Sequence, residues 1–197
     1  MSVLAHFLKW NVWLAKAETQ TTPAERDCLA KYAAGRRALA EVGVWHGVTT
    51  ARLRAAMATD AVLYAIDPYP VGRLGFSMQL RIARAEVRRV RNGRVEWLRT
   101  TGADAARTLA PVVGGKLDFV FIDGDHTYDG LRADWEGWSG LIASGGVVGL
   151  HDSRATPGRP IHDAGSVRYT AGVVRADPRF AVIEEVDSLT VLRRVGE

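Results

Sequence analysis

The residues of this 197-residue chain that can do chemistry gather where short apolar runs end. In "FVFIDGDHTYDG" (119–130), four apolar residues lead straight into Asp123, Gly124, Asp125 and His126. Desolvating carboxylates and an imidazole at the end of a buried strand is costly unless they have partners or a task. An imidazole titrates near neutrality, so His126 can accept a proton from a reacting hydroxyl, with Asp123 beside it. "GLHDS" ends the next run with His151 and Asp152. Adjacent parallel strands lie about 5 Å apart, so Asp123 and Asp152 can share a divalent cation that neutralises their repulsion. Oxygen donors without a cysteine cluster favour magnesium or manganese over zinc, although His151 is an unusual ligand for so hard an ion. The plainer alternatives make His151 and Asp152 a pair that fixes a loop, and His126 a brace bonded to Asp123 or Asp125.

Three further run ends carry polar punctuation. "EVGVWHGVTT" (41–50) sets Glu41 two residues before Gly43, with Gly47 four residues on. Glycines there let backbone and a helix N-terminus approach a ligand, and the acidic neighbour suits a cationic group better than a pyrophosphate. The tighter G-x-G-x-x-G pattern of dinucleotide sites is absent. "YAIDPYP" ends on Asp67, which can accept both hydroxyls of a ribose or serve as a turn residue ahead of Pro68. "TTGADAARTL" offers Gly102, Ala103 and Asp104, the last as an acceptor for an adenine amine or as a helix N-cap.

The elements that must position these groups alternate along the chain. Strand-like runs at 38–44, 61–67, 94–100, 117–123 and 145–152 are separated by helical stretches at 49–58, around 81–94, at 104–113 and at 130–142. A helix over about 165–176 and two closing strands, parted by Asp187-Ser188, complete the pattern. Apolar strands alternating with helices predict an α/β chain: a Rossmann-like, doubly wound, mostly parallel sheet with an antiparallel C-terminal hairpin. Ligands of such sheets bind beyond the carboxyl ends of the strands. Residues 1–35 read as an N-terminal helical segment, a lid or an oligomer contact, ahead of a domain over 36–197. Val3, Leu4, Phe7, Leu8, Leu14 and Ala15 fall on one face of a helix there. The long loop at 153–166, with His162 among its polar residues, is the expected cover of an acceptor.

Composition narrows the classes. No apolar run approaches membrane-span length, and Lys9 and Asn11 interrupt the greasy N-terminus, against a secretory leader. The single cysteine, Cys28, excludes an internal disulfide and suits a cytoplasmic location. The net charge of +4 comes from dispersed arginines. Arg81, Arg84, Arg88 and Arg91 recur at helical spacing as a solvated face, so nucleic acid is not the expected partner.

Taken together, "EVGVWHGVTT", "AIDPYP", "FVFIDGDHTYDGLRADWEGW", "GGVVGLHDS" and the closing "DPRFAVIEEVDSLTVLRR" resemble methyltransferase family 24, a group of class I S-adenosylmethionine-dependent methyltransferases. The group is similar to macrolide sugar O-methyltransferases and to cephalosporin-biosynthesis methyltransferase-like proteins. The resemblance spans about residues 36–195. It implies an S-adenosylmethionine site on Glu41, Gly43, Val44, Trp45, Gly47, Thr49, Asp67, Pro68, Gly102, Ala103, Asp104 and Asp123. In the metal-dependent sugar enzymes, the residue matching Asp123 binds magnesium and the one matching His126 is the proposed base. An acidic pair completes the metal site there, where this chain has His151-Asp152. The expected reaction is O-methylation of a hydroxyl on a small molecule by a protein that can form a homo-oligomer. A non-catalytic or RNA-directed S-adenosylmethionine binder, and more remotely an NAD(P)-dependent oxidoreductase, are the alternatives. Against them stand Asp-Gly-Asp-His in place of an Asn-Pro-Pro-Tyr-like motif, and the lack of a Tyr/Lys hydride-site pair.

Overall fold

The computed structural model describes residues 2–196. Strands β1 (Ala38–Val42), β2 (Val62–Ile66), β3 (Arg94–Leu98), β4 (Leu117–Ile122) and β5 (Ile142–Leu150) run parallel. The hairpin β6 (Phe180–Val186) and β7 (Leu189–Arg194) joins them antiparallel, in the order β3-β2-β1-β4-β5-β7-β6. This is the doubly wound, mostly parallel sheet that the alternation of runs predicts.

Strands buried on both faces need helices on both faces. On one side, Val42, Ile66, Val120 and Leu150 pack with Leu109 of α5 (Gly102–Val113) and with Trp135 and Trp138 of α6 (Tyr128–Trp138). On the other, Leu39, Leu63, Phe119 and Phe121 meet Leu29 and Ala33 of α2 (Pro23–Ala33) and Leu53 of α3 (Val48–Ala56). A capping box starts α2: Thr22 Oγ1 accepts the Glu25 amide while Glu25 accepts the Thr22 amide. The arginine-rich segment forms α4 (Met78–Arg88), with Leu80, Ile82, Ala83 and Val87 inward.

Register decides what meets at the carboxyl edge. Val42 pairs with Ile66 and Ile122, Ile66 with Leu98, and Ile122 with Leu150. One further backbone bond extends each strand: Gly43 N–H to Ile66 O, Asp67 N–H to Leu98 O, Asp123 N–H to Val42 O and His151 N–H to Ile122 O. Asp67, Gly43, Asp123 and His151 therefore stand in one row, where the chains leave the sheet.

The N-terminus departs from its sequence pattern. Helix α1 (Val3–Asn11) stops short of Leu14 and Ala15, because Trp13 takes a left-handed φ of 64° and the Leu14 amide turns back to Lys9 O. The chain is thereby redirected, and residues 18–20 reach the carboxyl edge of the sheet. The apolar spacing that predicts one longer helix cannot register such a turn. At its other end the chain forms α7 (Gly165–Gly172) before the closing hairpin. Among the described residues, no helix is long and apolar enough to cross a membrane.

Candidate active site

A cavity of about 740 Å³ opens over the row of strand ends. Its wall brings together Gly43, Val44, Trp45, Thr49, Asp67, Pro68, Gly102, Ala103, Asp123 and His126, ten residues singled out in the sequence. Glu41, Gly47, Asp104, His151 and Asp152 are not on that wall. Glu41 lies within β1, fully buried beneath it. Gly47 caps α3 and packs against Ala83 of α4. Asp104 sits in the first turn of α5, where it accepts the Thr101 hydroxyl and pairs with Arg107. Thr101, not Asp104, is the N-cap. Sequence spacing placed the helix start two residues late.

Asp67 organises the loop that follows β1. One carboxylate oxygen accepts the Val44 and Trp45 amides at 3.2 and 2.9 Å, and the other accepts the Tyr69 amide at 3.0 Å. A carboxylate offers about four lone-pair sites, so Asp67 can fix this loop and still present an acceptor to a ligand. Gly43 has a φ of 88°, and a Cβ there would overlap the Asp123 carbonyl oxygen. Glycine at this position is thus required by the close approach of β1 to β4, quite apart from any ligand.

Three features of the site were missed in the sequence, two on the cavity wall and one behind it. Glu18, Thr19 and Gln20 line the cavity from the N-terminal segment. Nothing local marks them, because their position follows from the turn at Trp13. Asp134 of α6 also lines it, and a Cβ on Gly102 would overlap its carboxylate. Burial, reinforced by nearby Asp125, pushes the Asp134 carboxyl up to about 7. A signal for Asp134 does exist: it shares the face of α6 that carries Leu131 and Trp138, an acid among apolar residues. The third feature is Glu25 of α2, which reaches His151 from the opposite side to Asp123.

His126 lies on the cavity wall and stays partly open to it. Its ring is 38 % exposed, with Nε2 3.6 Å from Asp123 Oδ1 and 3.9 Å from Asp152 Oδ2. Asp125 does not brace it, for Asp125 accepts the Thr127 amide at the start of α6. His151 is committed on both sides. Nδ1 lies 2.7 Å from Asp123 Oδ1 and Nε2 lies 3.4 Å from Glu25 Oε2, close enough for charge pairing though off hydrogen-bond alignment. Burial disfavours the imidazolium, but the Asp123 and Glu25 carboxylates outweigh it and raise His151 to about 10. Asp152 is held by the Arg159 guanidinium from the loop after β5. That guanidinium and His151 overcome the burial of Asp152 and keep its carboxyl below the usual range.

This donor set does not fit magnesium or manganese. Asp123, His126 and His151 do present ligand atoms within 4.8 Å of one another. They supply one carboxylate and two imidazoles, however, and both nitrogens of His151 already face carboxylates. The remaining acid, Asp152, has a cation of its own. Hard cations want several oxygens, and here the positive charge between the carboxylates is already the protein's.

Three comparisons relate the chain to known proteins. The family model described as "Methyltransferase domain", that of methyltransferase family 24, matches residues 40–153. This chain belongs to that family. Its members are class I S-adenosylmethionine-dependent methyltransferases, and the match runs from β1 to the loop after β5, taking in the carboxyl ends of all five parallel strands and the whole row of Asp67, Gly43, Asp123 and His151. A Mycobacterium tuberculosis protein named a probable O-methyltransferase is 30 % identical over 166 residues, 78 % of this chain and 66 % of the relative. The aligned region thus spans just under two thirds of that relative's length. Among solved structures, an O-methyltransferase from Bacillus cereus in complex with S-adenosylhomocysteine superposes with a TM-score of 0.65 at 18 % identity, covering 98 % of this chain and 91 % of that one. A cofactor-bound M. tuberculosis protein does so at 0.71 and 18 % identity, covering 98 % and 89 %. At such identities the likeness is one of fold, and it makes this family member a Rossmann-like methyltransferase in architecture.

Proposed function

We propose that this chain transfers the methyl group of S-adenosylmethionine to a hydroxyl of a small molecule, with His126 as general base and no step assigned to a metal ion. The observation that carries the reading is the composition of the cavity wall. Glu18, Asp67, Asp123, Asp125 and Asp134 line it, and among the described residues no lysine or arginine does. A donor bearing an ammonium and a sulfonium suits such a wall, whereas the pyrophosphate of a nicotinamide dinucleotide would face a net negative wall with no lysine or arginine among the described residues to offset it. The same wall disfavours a phosphate backbone, and so an RNA acceptor. The name of the curated relative and the S-adenosylhomocysteine bound to the B. cereus enzyme support the same chemistry.

Within this reading Asp67 receives the ribose hydroxyls, the loop from Gly43 to Trp45 lies against the methionine end, and Gly102 and Ala103 flank the adenine. S-adenosylmethionine supplies an already activated methyl group, so placement and a deprotonated acceptor are what the protein must add. A hydroxyl oxygen entering beside His126 gives its proton to the imidazole as the new bond forms. Asp123, fixed by His151, then faces the imidazolium and stabilises it. Arg159 brings the 153–166 loop against this corner by holding Asp152 and reaching Gln20 at 3.3 Å. An acceptor-selecting role for that loop follows.

Calorimetric titration with S-adenosylhomocysteine tests the donor, and no binding at millimolar concentration overturns the reading. With an acceptor found by labelled-methyl screening of hydroxylated compounds, His126→Ala should lower turnover by about 10²- to 10⁴-fold. S-adenosylhomocysteine affinity should stay near that of the wild type. Unchanged turnover removes His126 from the mechanism.

A further inference from the structure

A second cluster of ligand-type side chains stands on the far side of the glycine loop. His6 comes from α1, Glu18 from the segment that lines the cavity, and His46 from the loop between β1 and α3. Three elements distant in sequence thus bring two imidazoles and a carboxylate to one point, with ligand atoms within 4.8 Å of one another. His6 Nδ1 lies 3.1 Å from Glu18 Oε1, and His46 Nδ1 lies 3.9 Å from Glu18 Oε2. The two imidazole centroids are 5.0 Å apart, and Trp45 stacks on His46 at 4.7 Å.

What sets this cluster apart from an ordinary buried pair is its unmet bonding. His6 is 5 % exposed, and among the described residues neither of its ring nitrogens makes an aligned hydrogen bond, Nδ1 meeting only the Glu18 carboxylate at 3.1 Å and Nε2 left over. Leaving a buried polar group unsatisfied costs about 1–3 kcal/mol. Nothing in the methyl-transfer chemistry uses His6 or His46. We propose that His6, Glu18 and His46 bind a divalent ion of the zinc type, which ties α1 and the cavity-lining segment to the loop after β1. Two imidazoles and one carboxylate suit zinc or cobalt and not magnesium or calcium. Three protein ligands leave the fourth position to water. The Glu18 side chain is 45 % exposed and gives the ion its way in. His46 Nδ1 accepts the Glu18 amide at 3.1 Å, and the ion replaces that N–H as its partner. The site is separate from the strand-end cluster and does not rest on the assigned reaction.

Cobalt(II) is the probe, because its visible absorption reports tetrahedral nitrogen and oxygen ligation. Zinc competition and metal analysis after dialysis give the stoichiometry. The metal-free full chain should take up one equivalent, with a rise in melting temperature on adding excess zinc. His6→Gln and Glu18→Gln should each weaken cobalt binding by about tenfold or more, while His126→Gln leaves it unchanged. Glu18→Gln alters a half-exposed side chain and keeps the test open if His6→Gln fails to fold. Absence of cobalt binding by the wild type overturns the proposal. So does full affinity in Glu18→Gln, or a loss that appears with His126→Gln instead, which would move the ion to the strand ends.

Discussion

His151 and His46 flank the same cavity and are almost equally buried, at 2 % and 3 % exposure, yet they are driven to opposite charge states. Burial lowers both. For His151 the effect is overcome by Asp123 and Glu25, one at each ring nitrogen, with Asp152 adding to them. Glu25 itself is nearly inaccessible, so little water screens its charge. His46 has a second imidazole against it, and the one carboxylate near it among the described residues, Glu18, is half in solvent. The difference teaches that burial sets the cost of a charge and the partners set its sign. One side of the cavity holds an internal cation at neutral pH, and the other holds a neutral His46 imidazole.

Removing each histidine's carboxylate is the strongest way to break this contrast. Glu25→Ala strips His151 of a partner, ends the capping box with Thr22, and leaves the Ser188 amide and hydroxyl without their acceptor. A loss of about 3–5 kcal/mol is expected, typical of leaving a buried charge uncompensated. Glu18→Ala should cost less than about 1 kcal/mol, as for an exposed pair. Urea unfolding of the two variants measures both. Equal losses would mean that the two histidines are not in different electrostatic environments.

Titration sharpens it further. His151 is raised from its ordinary 6.5 to about 10, so its contribution is complete below pH 6.5 and fades as pH climbs toward 10. His46 is lowered from 6.5 to about 4, so its contribution is complete above pH 6.5 and fades as pH falls toward 4. Each limb has a slope of at most about 1.4 kcal/mol per pH unit. Glu25, lowered from 4.5 to about 2 because its bonds to His151, Thr22 and Ser188 outweigh burial, takes over on the acid side below pH 4.5. Thermal melts from pH 4 to pH 10 should flatten on the alkaline limb in His151→Gln and on the acid limb in His46→Gln. The reverse assignment would sink the comparison.

How far all this was legible in the sequence depends on the range of the interaction. Four of the five parallel strands are compact apolar runs and β3 an alternating one, and Asp67, Asp123 and His151 fall one residue past the last strand position. Periodicity reports burial on both faces, and a polar residue at the end of a run reports the edge. The contact of Glu25 with His151 joins residues 126 positions apart, and no local pattern encodes which acid a buried histidine meets. Nor could strand spacing reveal that Asp152 is taken by Arg159, since the loop after β5 must fold back first. The turn at Trp13, which carries residues 18–20 to the cavity, needs a positive φ that tryptophan composition does not announce.

Asp134 gives the smallest effect and the finest test of the same rule, for it is a buried carboxyl that pairs with no cation among the described residues. Burial raises it from 3.8 to about 7, with Asp125 adding to the shift. A carboxyl raised on folding stabilises the fold only while it keeps its proton, so its contribution declines as pH rises from 3.8 through 7. Asparagine has the same shape and never ionises. Asp134→Asn should therefore match the wild type near pH 4 and be more stable at pH 8 by about 1 kcal/mol, part of the full shift being screened by water in the cavity. Differential melts at the two pH values read this directly. A variant that is less stable at pH 8 would mean that Asp134 is ionised and paired, and its side of the cavity would then hold a cation after all.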